Sequence, residues 1–105
     1  MPEFITVARA SDVHPGWIKL VVLSGKTIAL ANVRGVFYAV DDLCPHANGS
    51  MVTGMLDGES IICPWHGSRF NLRTGGVEMS PATKGIATYQ VLVENDEVKL
   101  AKPGT

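Results

Sequence analysis

The sequence is 105 residues long, with 9 basic and 10 acidic side chains and a formal net charge of -1. That length suits one domain with a modest core and is too short for a core plus a separate catalytic module. The charges are scattered, which excludes the basic face that nucleic acid or an anionic membrane would need, and no uninterrupted apolar run approaches the roughly 20 residues of a membrane-spanning helix.

The first residues, Met1-Pro2-Glu3-Phe4, place an acid where a secretion signal carries positive charge, and no apolar h-region follows, so the expectation is a soluble cytoplasmic protein. Phe4 to Val7 reads as a first short strand, broken by the turn chemistry of Ser11-Asp12-Val13-His14-Pro15-Gly16. Trp17 to Leu23, Thr27 to Val33 and Val36 to Val40, joined by Ser24-Gly25-Lys26 and Arg34-Gly35, predict three strands of an antiparallel meander. Trp17 and Tyr38 are expected in the core, and His14 is expected in an exposed loop. Asp41-Asp42 ends this β-region and is expected to cap the loop that follows. Gly54 to Gly58 with Glu59-Ser60 reads as a turn around Met55-Leu56, from which Ile61-Ile62 leads into the next loop, and Ser68 to Leu72 with Val77, Thr88 to Glu94 and Glu97 to Ala101 continue the strand-and-turn pattern. No stretch sustains a helical period over 11 residues, so the fold class is all-β, with at most a helical turn near Ala47 to Ser50 or Ser11 to His14.

The chemistry concentrates between Cys44 and His66. Cys44-Pro45-His46 is followed by a spacer of 16 residues, Ala47 to Ile62, and then by Cys63-Pro64-Trp65-His66, so each of the two cysteines stands beside a histidine. A disulfide is disfavoured by those neighbours and by the reducing cytosol. A structural zinc site usually takes a Cys pair from one knuckle and a His pair from a later element, whereas here the ligand types interleave. Two thiolates on one iron and two imidazoles on another suit two similar loops that each offer one of each. Two irons therefore fit better than one zinc, although a zinc-stabilised β-domain acting as a binding module stays open as an alternative. There is no nucleophile with an adjacent base and no nucleotide-binding glycine pattern, which points away from an enzyme.

At these residues the chain resembles the Rieske [2Fe-2S] family, whose motif is C-x-H, a spacer of this length, then C-x-x-H. The resemblance continues through Gly67-Ser68-Arg69-Phe70, Thr74-Gly75-Gly76, Pro81-Ala82 and Tyr89 to Val93, and it is greatest to the small soluble ferredoxins that feed bacterial ring-hydroxylating oxygenases. It implies stacked antiparallel sheets, with a cluster-binding subdomain (about 42-81) inserted in a base domain (1-41 plus 82-105). It implies one [2Fe-2S] cluster per chain, with Cys44 and Cys63 on the inner iron and His46 and His66 on the outer one. The implied role is a monomeric electron carrier between a flavin-dependent ferredoxin reductase and a terminal oxygenase. A small subunit of a larger oxidoreductase such as nitrite reductase is the alternative within the fold.

Around the cluster, the resemblance gives Ser68 the position of a hydroxyl donor to a bridging sulfide, and Phe70 the position where high-potential members have a tyrosine. Hydrogen bonds to cluster sulfur favour the reduced state. The expected potential is therefore below that of respiratory Rieske centres and somewhat raised by Ser68. Trp65 is expected to act as a packing lid, Pro81 to belong to a third loop over the cluster, and Pro45 and Pro64 to stiffen the ligand loops. Gly49 and Gly67 allow close backbone approach, and Met51, Met55 and Met79 are candidates for an apolar docking surface.

Overall fold

The computed structural model describes residues 3-43, 49-64, 67-79 and 85-101. Among these residues eleven strands run in chain order: β1 (Phe4–Arg9), β2 (Ile18–Leu23), β3 (Lys26–Val33), β4 (Val36–Asp41), β5 (Met55–Asp57), β6 (Ser60–Ile62), β7 (Arg69–Asn71), β8 (Val77–Met79), β9 (Thr88–Tyr89), β10 (Val91–Glu94) and β11 (Glu97–Ala101). The helical content among the described residues is two short 3-10 turns, Ala10–Asp12 and Met51–Thr53. The first overlaps the expected turn near Ser11. The second begins just past the other expected stretch, of which Ala47 and Asn48 lie outside the described residues.

The tight turns follow from residue chemistry. Ser24-Gly25, Arg34-Gly35 and Asn95-Asp96 each have both residues at positive φ, the two-residue turn whose twist matches that of the flanking strands. They fix the registers Leu23↔Lys26, Val33↔Val36 and Glu94↔Glu97.

The strands form three antiparallel sheets, ordered β1-β11-β10, β2-β3-β4-β9 and β5-β6-β7-β8. The second sheet is the middle layer, because β3 is buried on both faces. Ile28 and Leu30 pack with Val98 and Leu100 of the first sheet. Ala29 and Ala31, on the opposite face, pack with Ile61, Phe70 and Leu72 of the third sheet and its turn. Strand alternation thus divides the interior into two cores separated by one sheet. The third sheet is built from the chain between β4 and β9, the segment that carries both Cys-His motifs.

Trp17 departs from expectation. It is 56% exposed, its ring meeting that of His14 edge-on at 4.5 Å. Tyr38 is half-buried at the edge of the core facing the third sheet, with its hydroxyl donating to Glu59 at 2.7 Å.

Candidate metal centre

Of the expected ligands, Cys63 lies in the described residues; Cys44, His46 and His66 fall outside them, as do Pro45, Trp65 and Pro81. What the structure describes is therefore the frame from which the ligand residues extend.

The second loop is closed at its stem. Cys63 follows β6 directly and is 1% exposed. Its N–H donates to the Ser68 carbonyl at 2.8 Å, and its carbonyl accepts the Gly67 N–H at 3.1 Å. Gly67 makes this return possible at φ +76, a conformation that side chains disfavour. With both backbone groups committed to the loop, the direction of the Cys63 Cα–Cβ bond is fixed. Pro64 stands exposed beyond this stem, while Ser68 is fully buried.

The first loop is closed by different means. Leu43 and Ser50 form an isolated antiparallel bridge around residues 44-49. Asp42, buried just before it, accepts hydrogen bonds at one carboxylate oxygen from the Ser50 hydroxyl at 2.8 Å and the Val52 N–H at 3.2 Å. The capping role expected of Asp42 is thus present. Ser50 as its partner is not apparent in the sequence, since the two residues face each other only after the loop has folded back.

The two stems stand side by side. An added Cβ at Gly54 would sit 2.1 Å from the Ile62 carbonyl oxygen, so the leg returning from the first loop lies against the residue that precedes Cys63. Met51, at the start of that leg, is fully buried in the same core as Cys63, Ile61 and Phe70.

A third connection, between β8 and β9, returns beside the turn after β7 and the end of β4. Its descending leg is held by the Ile86 N–H donating to the Gly75 carbonyl at 2.9 Å, where Gly75 has φ +77 and a Cβ would meet the Ile86 oxygen at 1.9 Å. Asp41, the last residue of β4, donates its N–H to the Ala87 carbonyl at 3.0 Å. Its carboxylate accepts from the Ala87 N–H at 3.3 Å and from the Tyr89 hydroxyl at 2.6 Å, and it pairs with Lys26 at 3.3 Å. Burial and then the Asp41 carboxylate push the Tyr89 pKa up. Hydrogen bonding to Tyr89 and then to Asp41 raises that of Lys26.

The face of the third sheet turned away from the core carries a row across Met55, Ile62, Arg69 and Met79, level with the second loop's stem. Met55 and Met79 are 68% and 55% exposed, as an apolar docking surface requires, but Met51 is core and cannot contribute. Its burial reflects the small Ala29 and Ala31 side chains in the same core, which leave room for a flexible thioether. Arg69 is neutralised by Asp57 at 2.6 Å. At the extra residue in β8, Glu78 accepts from Ser60 and Asn71, and these donors, Ser60 foremost, hold its carboxyl below the usual range.

Residues 3-90 match the model of the Rieske [2Fe-2S] domain. The chain belongs to this family. The Rieske domain is 42% identical, over 93% of this chain and 94% of the relative, to the ferredoxin component of the naphthalene 1,2-dioxygenase/salicylate 5-hydroxylase systems of a Ralstonia species. Among solved structures, it matches one of a complex of reduced oxygenase and oxidised ferredoxin in carbazole 1,9a-dioxygenase, at 39% identity and TM-score 0.87 over 93% of this chain and 92% of that one. It matches the ferredoxin of Sphingomonas yanoikuyae B1 at 30% identity and TM-score 0.90, over 96% and 100%. A Rieske domain carries one [2Fe-2S] cluster per chain, so the zinc alternative falls. The donor set fits that cofactor, because two cysteines and two histidines are the complement of such a centre and the described cysteine sits buried in a rigidly closed loop.

Proposed function

We propose that this chain is a one-electron carrier, accepting an electron from a flavin-dependent ferredoxin reductase and passing it to a terminal Rieske oxygenase, and working as a monomer. It transforms no substrate itself. Cys44 and Cys63 hold one iron and His46 and His66 the other. The observation that carries this reading is the packing of Gly54, on the leg that returns from the first loop, against the carbonyl of Ile62, the residue before Cys63, so that the stems of the two loops lie side by side. The kinship adds support, since relatives of nearly the same length are named as ferredoxin components of dioxygenase systems. Residues 42-81 act as the cluster-binding subdomain on a base formed by the rest.

When bound, the cluster supplies a reversible one-electron couple, in a family range of about -150 to +300 mV. The protein's part is to hold and tune. Cys63 is held at a stem shut to water. Ser68, buried and paired through its carbonyl with the Cys63 N–H, would offer a hydroxyl to the cluster sulfur, whereas Phe70 has none to offer. Trp65 and Pro81 are the residues to which the family resemblance assigns the exclusion of water from the cluster.

The test is reconstitution of oxygen-dependent turnover with reductase and oxygenase pairs from naphthalene and carbazole systems. Product formation that requires this chain, and that Cys63→Ser abolishes together with the visible absorbance, is the expected result. A red-brown protein that chemical reductant reduces, but that no oxygenase re-oxidises faster than air, would overturn the carrier role. A large subunit that stays bound through purification would indicate a fixed component of a bigger oxidoreductase.

A further inference from the structure

Asp42 is 4% exposed, and among the described residues no lysine or arginine nitrogen lies within the 4.0 Å of an ion pair. Burying a carboxylate without a countercharge is costly unless hydrogen bonds return the lost solvation. Those bonds come from the segment that follows the first ligand loop and are joined by one backbone bond to the middle sheet. The Asp42 N–H donates to the Thr27 carbonyl of β3 at 3.3 Å, its carbonyl accepts the Met51 N–H at 2.7 Å, and its carboxylate accepts from Ser50 and Val52 at 2.8 and 3.2 Å.

One residue therefore grips three places: the middle sheet, the bridge residue Ser50 that faces Leu43, and the leg that leads to Gly54 and the second loop. Cys44 is two residues away along the chain and His46 four, both inside the loop whose ends Asp42 ties. Fixing the ends of a loop in advance removes conformational freedom that binding would otherwise have to remove.

We propose that Asp42 is the positioning residue of the first ligand loop, holding Ser50 and Val52 so that Cys44 and His46 are presented in a fixed frame, and so governing how firmly the cluster is kept. This rests on the ligand assignment above. Outer residues that orient metal ligands typically change affinity about 10- to 100-fold when lost.

The experiment follows the decay of visible absorbance of the holoprotein under an iron chelator. Asp42→Ala is expected to shorten the lifetime of the cluster about tenfold or more, and Ser50→Ala, which removes one of the bonds, by a smaller factor. Asp42→Asn retains a carbonyl oxygen that accepts both bonds and is expected to restore the lifetime to within about twofold of wild type. That rescue separates positioning by hydrogen bonds from a general effect of charge. Wild-type lifetimes in Ser50→Ala and Asp42→Ala, or an Asp42→Asn protein as labile as Asp42→Ala, would overturn the proposal. If Asp42→Ala yields no folded protein, Ser50→Ala decides: unchanged retention overturns the clamp. Cys44→Ser tests the assignment beneath it, since a cluster retained there would remove Cys44 as a ligand and the proposal with it.

Discussion

Ser68 and Phe70 stand two residues apart and are both fully buried, yet one brings a hydroxyl into the interior and the other a ring. Phe70 belongs to the core that also holds Cys63 and Met51. A Phe70→Tyr protein is expected to show a higher reduction potential by protein-film voltammetry, because its hydroxyl would donate toward a cysteine sulfur and favour the more negative, reduced state. A hydroxyl that found no partner would instead cost about 1-3 kcal/mol in unfolding free energy, which urea titration would register. Ser68→Ala is expected to lower the potential; an unchanged value in both variants would remove these positions from the list of tuning residues. At this scale the sequence is most legible where the chemistry is rare. Two Cys-His pairs announce a metal site, whereas Trp17 and Met51 exchange their expected places because burial depends on which sheet edge or which pair of small alanines a side chain happens to meet.

Among elements, the returning leg at Gly54 and the turn at Gly75 are places where two backbones touch without room for a side chain. Gly54→Ala is expected to destabilise by about 2-3 kcal/mol in urea titration, within the range of a disruptive single substitution, since its Cβ would meet the backbone of β6. It should also shorten the lifetime of the cluster by parting the two loop stems. Nothing in the sequence distinguishes Gly54 from a turn glycine, because the partner backbone is eight residues away and on another strand. The Asp41, Tyr89 and Lys26 group predicts a pH effect. Tyr89 and Lys26 have folded pKa values raised above the ordinary 10.0 and 10.5. Each binds its proton more tightly when folded, so its contribution to stability is complete below those values and is lost as pH climbs through the raised ones. Urea midpoints measured from pH 8 to 11 should fall at the alkaline end, and Tyr89→Phe should flatten that fall. Equal slopes in both proteins would show that the group does not sense pH.

At the scale of the molecule, the described residues form three sheets with two cores, and the all-β class and most strands can be read from alternation and turn residues. Which sheet lies in the middle cannot, because β3 reads as one apolar run and its division into Ile28 and Leu30 on one side, Ala29 and Ala31 on the other, acquires meaning only when both partners are placed. With a net charge of -1 and its charges scattered, the molecule lacks a strong field for steering. The rate of electron delivery to an oxygenase is therefore expected to vary less than about tenfold between 10 and 300 mM salt in stopped-flow measurements. A steep fall would point to a charged docking face instead.

The middle sheet keeps the layer of β1, β10 and β11 on the opposite side from the layer that bears Cys63. A tether to an electrode or a resin, grafted at exposed Leu92 on β10, would hold the protein by its back and leave its redox side turned toward the solution. Immobilisation at Met79 would do the reverse and smother the current.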